Sequence, residues 1–282
     1  MFNKDLLDAL LDLAFAEDIG DGDHTSLSCI PKHAAGKVQL LVKQEGVIAG
    51  IEVAAYVFKR VNSQIHFAQL LKDGHEVKPG DVAFTVEGTV RDLLTAERLV
   101  LNLMQRMSGV ATQTSLYARR LAGLHTKVLD TRKTTPGMRV LDKWAVSIGG
   151  GANHRMGLFD MILIKDNHID FAGGNRQAIE AAKSYLKEKK MNLSIEIEAR
   201  SLADVQEIME IGGIQRIMLD NFTISQTREA VKLIGRRYET ESSGGITIEN
   251  LRDYAECGVD FISVGALTHQ IKSLDLSLKA VG

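Results

Sequence analysis

The sequence is poor in the residues that mark special classes of protein. Its 282 residues hold two cysteines, Cys29 and Cys257, three prolines, Pro31, Pro79 and Pro136, and one tryptophan, Trp144. Two cysteines make neither a disulfide framework nor a zinc-ligand cluster; they suit a reducing cytoplasm and a packing role. With so few prolines and no Ser/Gly-rich or low-complexity stretch there is no flexible linker, so two domains, if present, are expected to pack closely. No run of about 18 apolar residues is present, which a membrane-spanning helix needs. A surplus of one charge sign is missing too: 34 Lys and Arg face 36 Asp and Glu, a net charge of −2. No global field therefore gathers nucleic acid or anionic lipid, and any anion site must be local. The opening MFNKDLLDALLDLAFAED sets Asp5, Asp8 and Asp12 among its leucines, where a secretory signal wants a basic start and an unbroken apolar core, so no export is expected. What is plentiful is ordinary: 45% hydrophobic and 25% charged residues fit a globular chain of one large or two modest domains.

Patterning divides the chain in two. Leu6, Leu7, Leu10, Leu13 and Ala14 fall at helical spacing behind a candidate Asn3 cap. From Lys37, short β-like runs (KVQLLVKQ, GVIAGI, QIHFAQLL, VAFTVEG) surround a helical AAYVFKRV, a mixed α+β module. A long helical pattern covers about 93–122, with Ser108-Gly109 expected to bend or break it. After 125, six apolar runs alternate with helical stretches: KVLDTRK, MILIKDNH, LSIEIEA, RIMLDN, YETESSGG and FISVGAL. Ser201 and Thr223 read as helix caps, with Asp204 and Gln226 three residues on. Repeated βα units imply a parallel sheet, and six are too few for a standard eight-stranded barrel. A smaller or incomplete barrel is the expected form, with a doubly wound sheet as the alternative.

Nearly every run ends in polar residues or glycine: Asp130-Thr-Arg-Lys133, Lys165-Asp-Asn-His168, Glu196-Ile-Glu198, Asp220-Asn221, Ser242-Ser-Gly-Gly245 and Gly265. Strand C-termini of βα barrels surround one mouth, where active sites sit. Residues 130–166 carry six Lys or Arg against four Asp or Glu, a local basic excess. Arginine forks match carboxylates and phosphates, so Arg132, Lys133, Arg155 and Lys165 are candidate holders of a polyanion. Arg139 and Lys143, on the following helix, read instead as solvated surface charges. The glycines of SSGG and VGAL would let backbone N–H groups approach phosphate. Glu198 and Asp220 could offer oxygen ligands to Mg²⁺, or pair with the basic residues opposite. The acidic loop at 17–24 lacks the spacing of a calcium-binding loop and reads as a polar turn.

Taken in order, EDIGDGDHTS (17–26), AERLVLNLMQRMSGVAT (96–112), DTRKTTPGMR (130–139), GGGANHRMGLFD (149–160), LIKDNH (163–168), IEIEA (195–199), IMLDNF (217–222), ESSGGI (241–246) and VDFISVGALTH (259–269) resemble the quinolinate phosphoribosyltransferases, also called carboxylating nicotinate-nucleotide pyrophosphorylases. The resemblance implies an α/β protein: an N-terminal α/β sandwich over residues 1–108 and an atypical βα barrel of fewer than eight strands over 109–270, with the tail 271–282 packing on the first domain. It implies transfer of phosphoribosyl from 5-phosphoribosyl-1-pyrophosphate to quinolinate with decarboxylation, Mg²⁺ as cofactor, and a cytoplasmic homodimer with shared active sites, dimer or hexamer being open.

By motif match, quinolinate would be bound by Arg132, His154, Arg155 and Lys165, with Arg98, beside Glu97, arriving from the partner subunit. Phosphoribosyl pyrophosphate would meet Lys133, Glu198, Asp220, Ser243, Gly244, Gly265 and His269. The resemblance makes Lys133, Lys165, Glu198 and Asp220 catalytic, and Glu198 and Asp220 the metal ligands. Three alternatives stand beside it: a nicotinate phosphoribosyltransferase, a related molybdenum-transport-associated protein, and a non-catalytic sensor of phosphorylated metabolites.

Overall fold

The computed structural model describes residues 4–281, so the Asn3 cap lies outside the described residues. In chain order the elements begin α1 (Lys4–Ile19), α2 (His24–Cys29), β1 (Ala35–Val42), β2 (Gly46–Val47), α3 (Ile51–Val61), β3 (His66–Gln69), β4 (Glu76–Val77), β5 (Val82–Thr89) and α4 (Val90–Arg120). They continue β6 (Lys127–Leu129), α5 (Arg139–Ile148), β7 (Ile162–Ile164), α6 (Asp166–Ala172), α7 (Asn175–Lys189), β8 (Ile195–Ala199), α8 (Leu202–Ile211) and β9 (Arg216–Asp220). The last are α9 (Ile224–Ile234), β10 (Glu239–Ser243), α10 (Leu251–Ala255), β11 (Phe261–Ser263), α11 (Ala266–His269) and β12 (Leu276–Ala280). None of these helices is long and apolar enough to cross a membrane.

Two compact units result. The first takes the chain up to 115, then 134–150, which carries α5, and 267 onward. Its sheet has the order β12-β1-β5-β3, antiparallel throughout. Phe58 of α3 lies 6.3 Å from both Phe67 and Phe84, an aromatic cluster under the sheet. In α1 the buried stripe is Leu7 and Leu11, while Leu6 and Leu13 face solvent; the inward pair is one i, i+4 step, narrower than the leucine count suggests. The acidic loop is a polar turn that ends in a cap, Asp23 accepting the Ser26 N–H at 3.0 Å.

Contrary to expectation, α4 passes unbroken through Ser108-Gly109 over 31 residues. The Ser108 hydroxyl is occupied instead with the Ala49 backbone, accepting its N–H at 2.9 Å and donating to its carbonyl at 3.1 Å. Gly109 is there for space: a Cβ would lie 2.5 Å from the Lys272 carbonyl oxygen and 3.1 Å from Ser273 Cα. Lys143 also corrects the sequence reading, because it is fully buried on α5 and not a solvated charge. Cys29 is exposed and only Cys257 is buried, so packing accounts for one of the two.

The second unit, 116–133 and 151–266, holds the six expected strands, all parallel, in the order β6-β11-β10-β9-β8-β7. Counted from the first strand, that order is 1-6-5-4-3-2. From the second strand to the sixth each neighbours its successor, and the sixth returns to the first, which is barrel succession; a doubly wound sheet would reverse direction at a switch point. Among the described residues the ring is not closed: β6 and β7 do not pair, and the seam carries only a parallel bridge from Leu129 to Ala152. Both seam strands are three residues long. Both expected caps are present. Thr223 and Gln226 form a reciprocal box, while Ser201 accepts the Asp204 N–H and Asp204 reaches one residue further back, to Arg200 N–H.

Gly109→Ala is expected to lower the thermal unfolding midpoint by on the order of 5 °C, since overpacking costs about 1–3 kcal/mol and each kcal/mol is worth a few degrees in a chain of this size. An unchanged midpoint by scanning calorimetry would mean that the 272–273 backbone yields freely.

Candidate active site

Parallel pairing puts every strand C-terminus of the second unit at one end of the sheet, so the polar endings of six strands share that end. Asp130, fully buried just after β6, organises the loop opposite: it accepts Asn153 Nδ2–H at 2.6 Å and the His154 backbone N–H at 2.9 Å. That ties 153–155 to the loop after β6 that also carries Arg132 and Lys133. Arg155 donates through Nη1 to the Met161 carbonyl at 3.3 Å. Its pKa is lowered by burial first and then by the positive charge of Arg132, with Glu196, Asp160 and Glu198 opposing. The Arg132 charge thus reaches Arg155.

Lys165 leads from β7 into α6, and its ammonium donates to Glu198 Oε1 at 2.9 Å. The other Glu198 oxygen accepts the Asp166 N–H at 2.8 Å, so this buried carboxylate is held at both ends. Asp220, at the end of neighbouring β9, has its pKa raised by burial and by Glu198, while Lys165, Ser243 and Asn221 oppose the shift. Ser243 therefore meets Asp220 at the end of β10. Gly244 and Gly245 follow with φ of +93° and +61°, and a Cβ on Gly244 would lie 2.1 Å from Asn221 Oδ1. Only glycine can make this turn, which leaves backbone N–H groups as its lining.

The second unit thus brings together Arg132, Lys133, His154, Arg155, Lys165, Glu198, Asp220, Ser243, Gly244 and Gly265 on its own strand ends and loops. Arg98, exposed on α4, and His269, exposed at the end of α11, belong to the first unit.

Beneath the strand ends lies a layer that sequence reasoning passed over. Glu196 shares a face of β8 with Glu198, and Glu241 lies on β10; both are fully buried. His154 Nε2 sits 3.1 Å from Glu196 Oε2 and 3.5 Å from Glu241 Oε2. Arg216 Nη1 donates to Glu241 Oε2 at 3.0 Å and its fork also takes Glu239, while its guanidinium stacks 4.1 Å over Phe261. Burial pushes Glu196 up to about 7 against the pull of Arg216, and burial with the Glu196 charge pushes Glu241 up to about 8. One signal was available in the sequence: IEIEA alternates charge with isoleucine in a strand otherwise expected to be covered on both faces.

Residues 23–108 match the family described as quinolinate phosphoribosyl transferase, N-terminal domain, and 110–279 match its C-terminal domain. The chloroplastic nicotinate-nucleotide pyrophosphorylase [carboxylating] of Arabidopsis thaliana is 44% identical over 288 residues, covering 97% of this chain and 82% of the relative. A probable enzyme of the same name from Bacillus subtilis is 40% identical over 272 residues, covering 96% and 92%. The crystal structure of NadC from Streptococcus pyogenes superposes with a TM-score of 0.93 at 37% identity, covering 100% of this chain and 99% of that one.

The buried acids carry a pH signature. Between the ordinary glutamate value of 4.5 and about 8 the folded protein holds more protons than the unfolded chain, so these groups make stability fall as pH rises through that window. Melting curves from pH 5.5 to 8.5 should show a shallower decline for Glu241→Gln than for wild type. Identical slopes would contradict a raised Glu241.

Proposed function

The chain belongs to the quinolinate phosphoribosyltransferase family, and we propose that it joins quinolinate to 5-phosphoribosyl-1-pyrophosphate with loss of carbon dioxide, giving nicotinate mononucleotide and pyrophosphate for NAD biosynthesis. The observation that carries this reading is the mouth of the second unit, where the mutual repulsion of Arg132 and Arg155 suits an aromatic dianion and the adjacent acids suit a developing sugar cation. A nicotinate phosphoribosyltransferase has one carboxylate to hold and needs no such density of cations.

In this reading Arg132, Arg155 and Lys165 grip the two carboxylates and aim the pyridine nitrogen at C1 of the ribose. The C1–O bond breaks, its electron pair leaves with pyrophosphate, and positive character at C1 is met by the carboxylates of Glu198 and Asp220. Lys133, with the backbone of the Ser243-Gly244 turn and Gly265, holds phosphoryl oxygens as charge grows on the leaving group. Bond formation makes the ring nitrogen cationic. The adjacent carboxylate then departs as carbon dioxide, leaving its electron pair on C2 beside that charge, and C2 takes up a proton. No covalent intermediate with the protein is needed.

Glu198 and Asp220 also fit a divalent cation: they stand on neighbouring parallel strands, and the repulsion that raises Asp220 is what a cation would relieve. Mg²⁺ held there would offset pyrophosphate charge. Arg98 and His269 enter by resemblance alone, Arg98 being offered by the partner of a homodimer. Two free cysteines fit a reducing cytoplasm.

Purified protein given quinolinate, phosphoribosyl pyrophosphate and Mg²⁺ is expected to release nicotinate mononucleotide and carbon dioxide together; product without carbon dioxide would favour the monocarboxylate enzyme. Arg132→Ala should raise the KM for quinolinate roughly 10- to 150-fold, the equivalent of a charged hydrogen bond of about 1.5–3 kcal/mol, and change that for phosphoribosyl pyrophosphate far less. Equal losses would contradict the assignment. Arg98→Ala mixed with Arg155→Ala is expected to regain activity through hybrid dimers, and silence despite proven subunit exchange would remove the shared site.

A further inference from the structure

One residue where β9 and β10 end takes no part in the reaction steps above and yet touches three residues assigned to them. Three residues, 221–223, join β9 to α9. The last two are committed to the join: Phe222 is buried, its carbonyl accepts the Tyr254 hydroxyl at 2.9 Å, and Thr223 caps α9. The change of direction falls on Asn221, whose φ of +56° lies in the left-handed region. That conformation is costly for L side chains, and asparagine is one of the few that adopt it. It has a consequence for the last acid of the strand. Along an extended strand, residues 220 and 221 would point to opposite faces; at this turn the Asn221 Nδ2–H instead donates to Asp220 Oδ2 at 2.8 Å. The Asn221 backbone N–H donates to the Ser243 carbonyl at 2.9 Å, which ties the ends of β9 and β10 together. The amide oxygen stands against Gly244, where a Cβ would lie 2.1 Å from it. An ionised carboxylate accepts and does not donate, so the nitrogen faces Asp220 and the oxygen is left facing the turn.

We propose that Asn221 is a positioning residue for phosphoribosyl transfer: its amide nitrogen aims the Asp220 carboxylate, while its amide oxygen and backbone N–H keep the Ser243-Gly244 turn at a fixed distance from that acid. This inference rests on the functional reading above. The acid and the turn serve the two halves of one charge separation, Asp220 meeting positive character at C1 and the turn taking the phosphoryl oxygens that gain negative charge. Their spacing has to match a bond that is breaking, and one side chain wedged between them sets it. The cations assigned to the diacid stand on other elements, Arg132 after β6, Arg155 in the loop before β7 and Lys165 after β7. A fault at 221 is therefore felt first by the sugar substrate. A residue needed only to turn the chain would be replaced equally well by any other that accepts a left-handed φ.

Two variants that tolerate this backbone separate aiming from turning. Asn221→Gly adopts a positive φ freely and keeps the N–H to Ser243 but has no amide. Asn221→Asp keeps the size and the tolerance of a left-handed φ but sets an acceptor against the Asp220 carboxylate. In each, kcat/KM for phosphoribosyl pyrophosphate is expected to fall about 10- to 100-fold, the usual loss when the support behind a working group is removed, while the KM for quinolinate stays within about threefold. The thermal unfolding midpoint of each should stay close to that of wild type. Wild-type kcat/KM in either variant would overturn the proposal, because 221 would then need only to turn the chain. So would KM values for the two substrates that rise together, the mark of a displaced loop. Failure of both variants to fold would overturn it as well, since 221 would then serve stability and not aim; where one alone folds, the other readouts are taken from it. Wild-type protein that forms no nicotinate mononucleotide would instead overturn the functional reading, and this inference with it.

Discussion

Like charges held close together are what the second unit is built around. Arg132 and Arg155 both follow strand ends of the second unit and repel each other, and that repulsion must be offset. The offset comes from acids set at different depths. Glu198 is pinned between Lys165 and the Asp166 N–H, beside the mouth, and Glu196 and Glu241 lie further down with Arg216 between them and Glu239. Carboxylates at the surface of the pocket would compete with a dianionic ligand for the guanidinium groups; carboxylates below it steady the field and leave the forks open.

A parallel sheet makes such layering simple to encode. All six strands point the same way, so a position near each strand's end becomes part of the mouth and a position two residues earlier on the same face becomes part of the layer beneath. Glu198 and Glu196 differ by one such step, and so do Ser243 and Glu241. The chemistry of each level follows from its access to water. The upper acids are the ones proposed to meet a passing positive charge, and the lower ones, whose ionised form burial disfavours, stand beside His154 and Arg216.

Much of this was readable from the residues alone. Glycines and charges at strand ends pointed to one end of the parallel sheet, and the run DTRK, the NHR triplet and IKDNH supplied the cations proposed to act there. The six parallel strands and both helix caps followed from periodicity and cap chemistry. Three things were not readable, each for a physical reason. Ser108-Gly109 looked like a helix break because local propensity favours one, yet a close backbone approach from 272–273 selected the glycine. Lys143 looked solvated because lysine usually is, and only tertiary packing could bury it. Barrel closure was out of reach because it depends on register between β6 and β7, which hydrophobic runs of three residues do not specify. The acids at 196 and 241 fell between these cases: alternation in IEIEA marked Glu196, nothing singled out Glu241, and only the fold showed that both stand beside His154.

The claim on which this account turns is that cations of one unit's strand ends hold the diacid while the acids beneath them do not touch it. A crystal structure of the protein with quinolinate bound measures this directly. Both ligand carboxylates are predicted within hydrogen-bonding distance of the Arg132 and Arg155 guanidinium groups and the Lys165 ammonium. Quinolinate seated elsewhere, with those three side chains turned to solvent, would contradict the account.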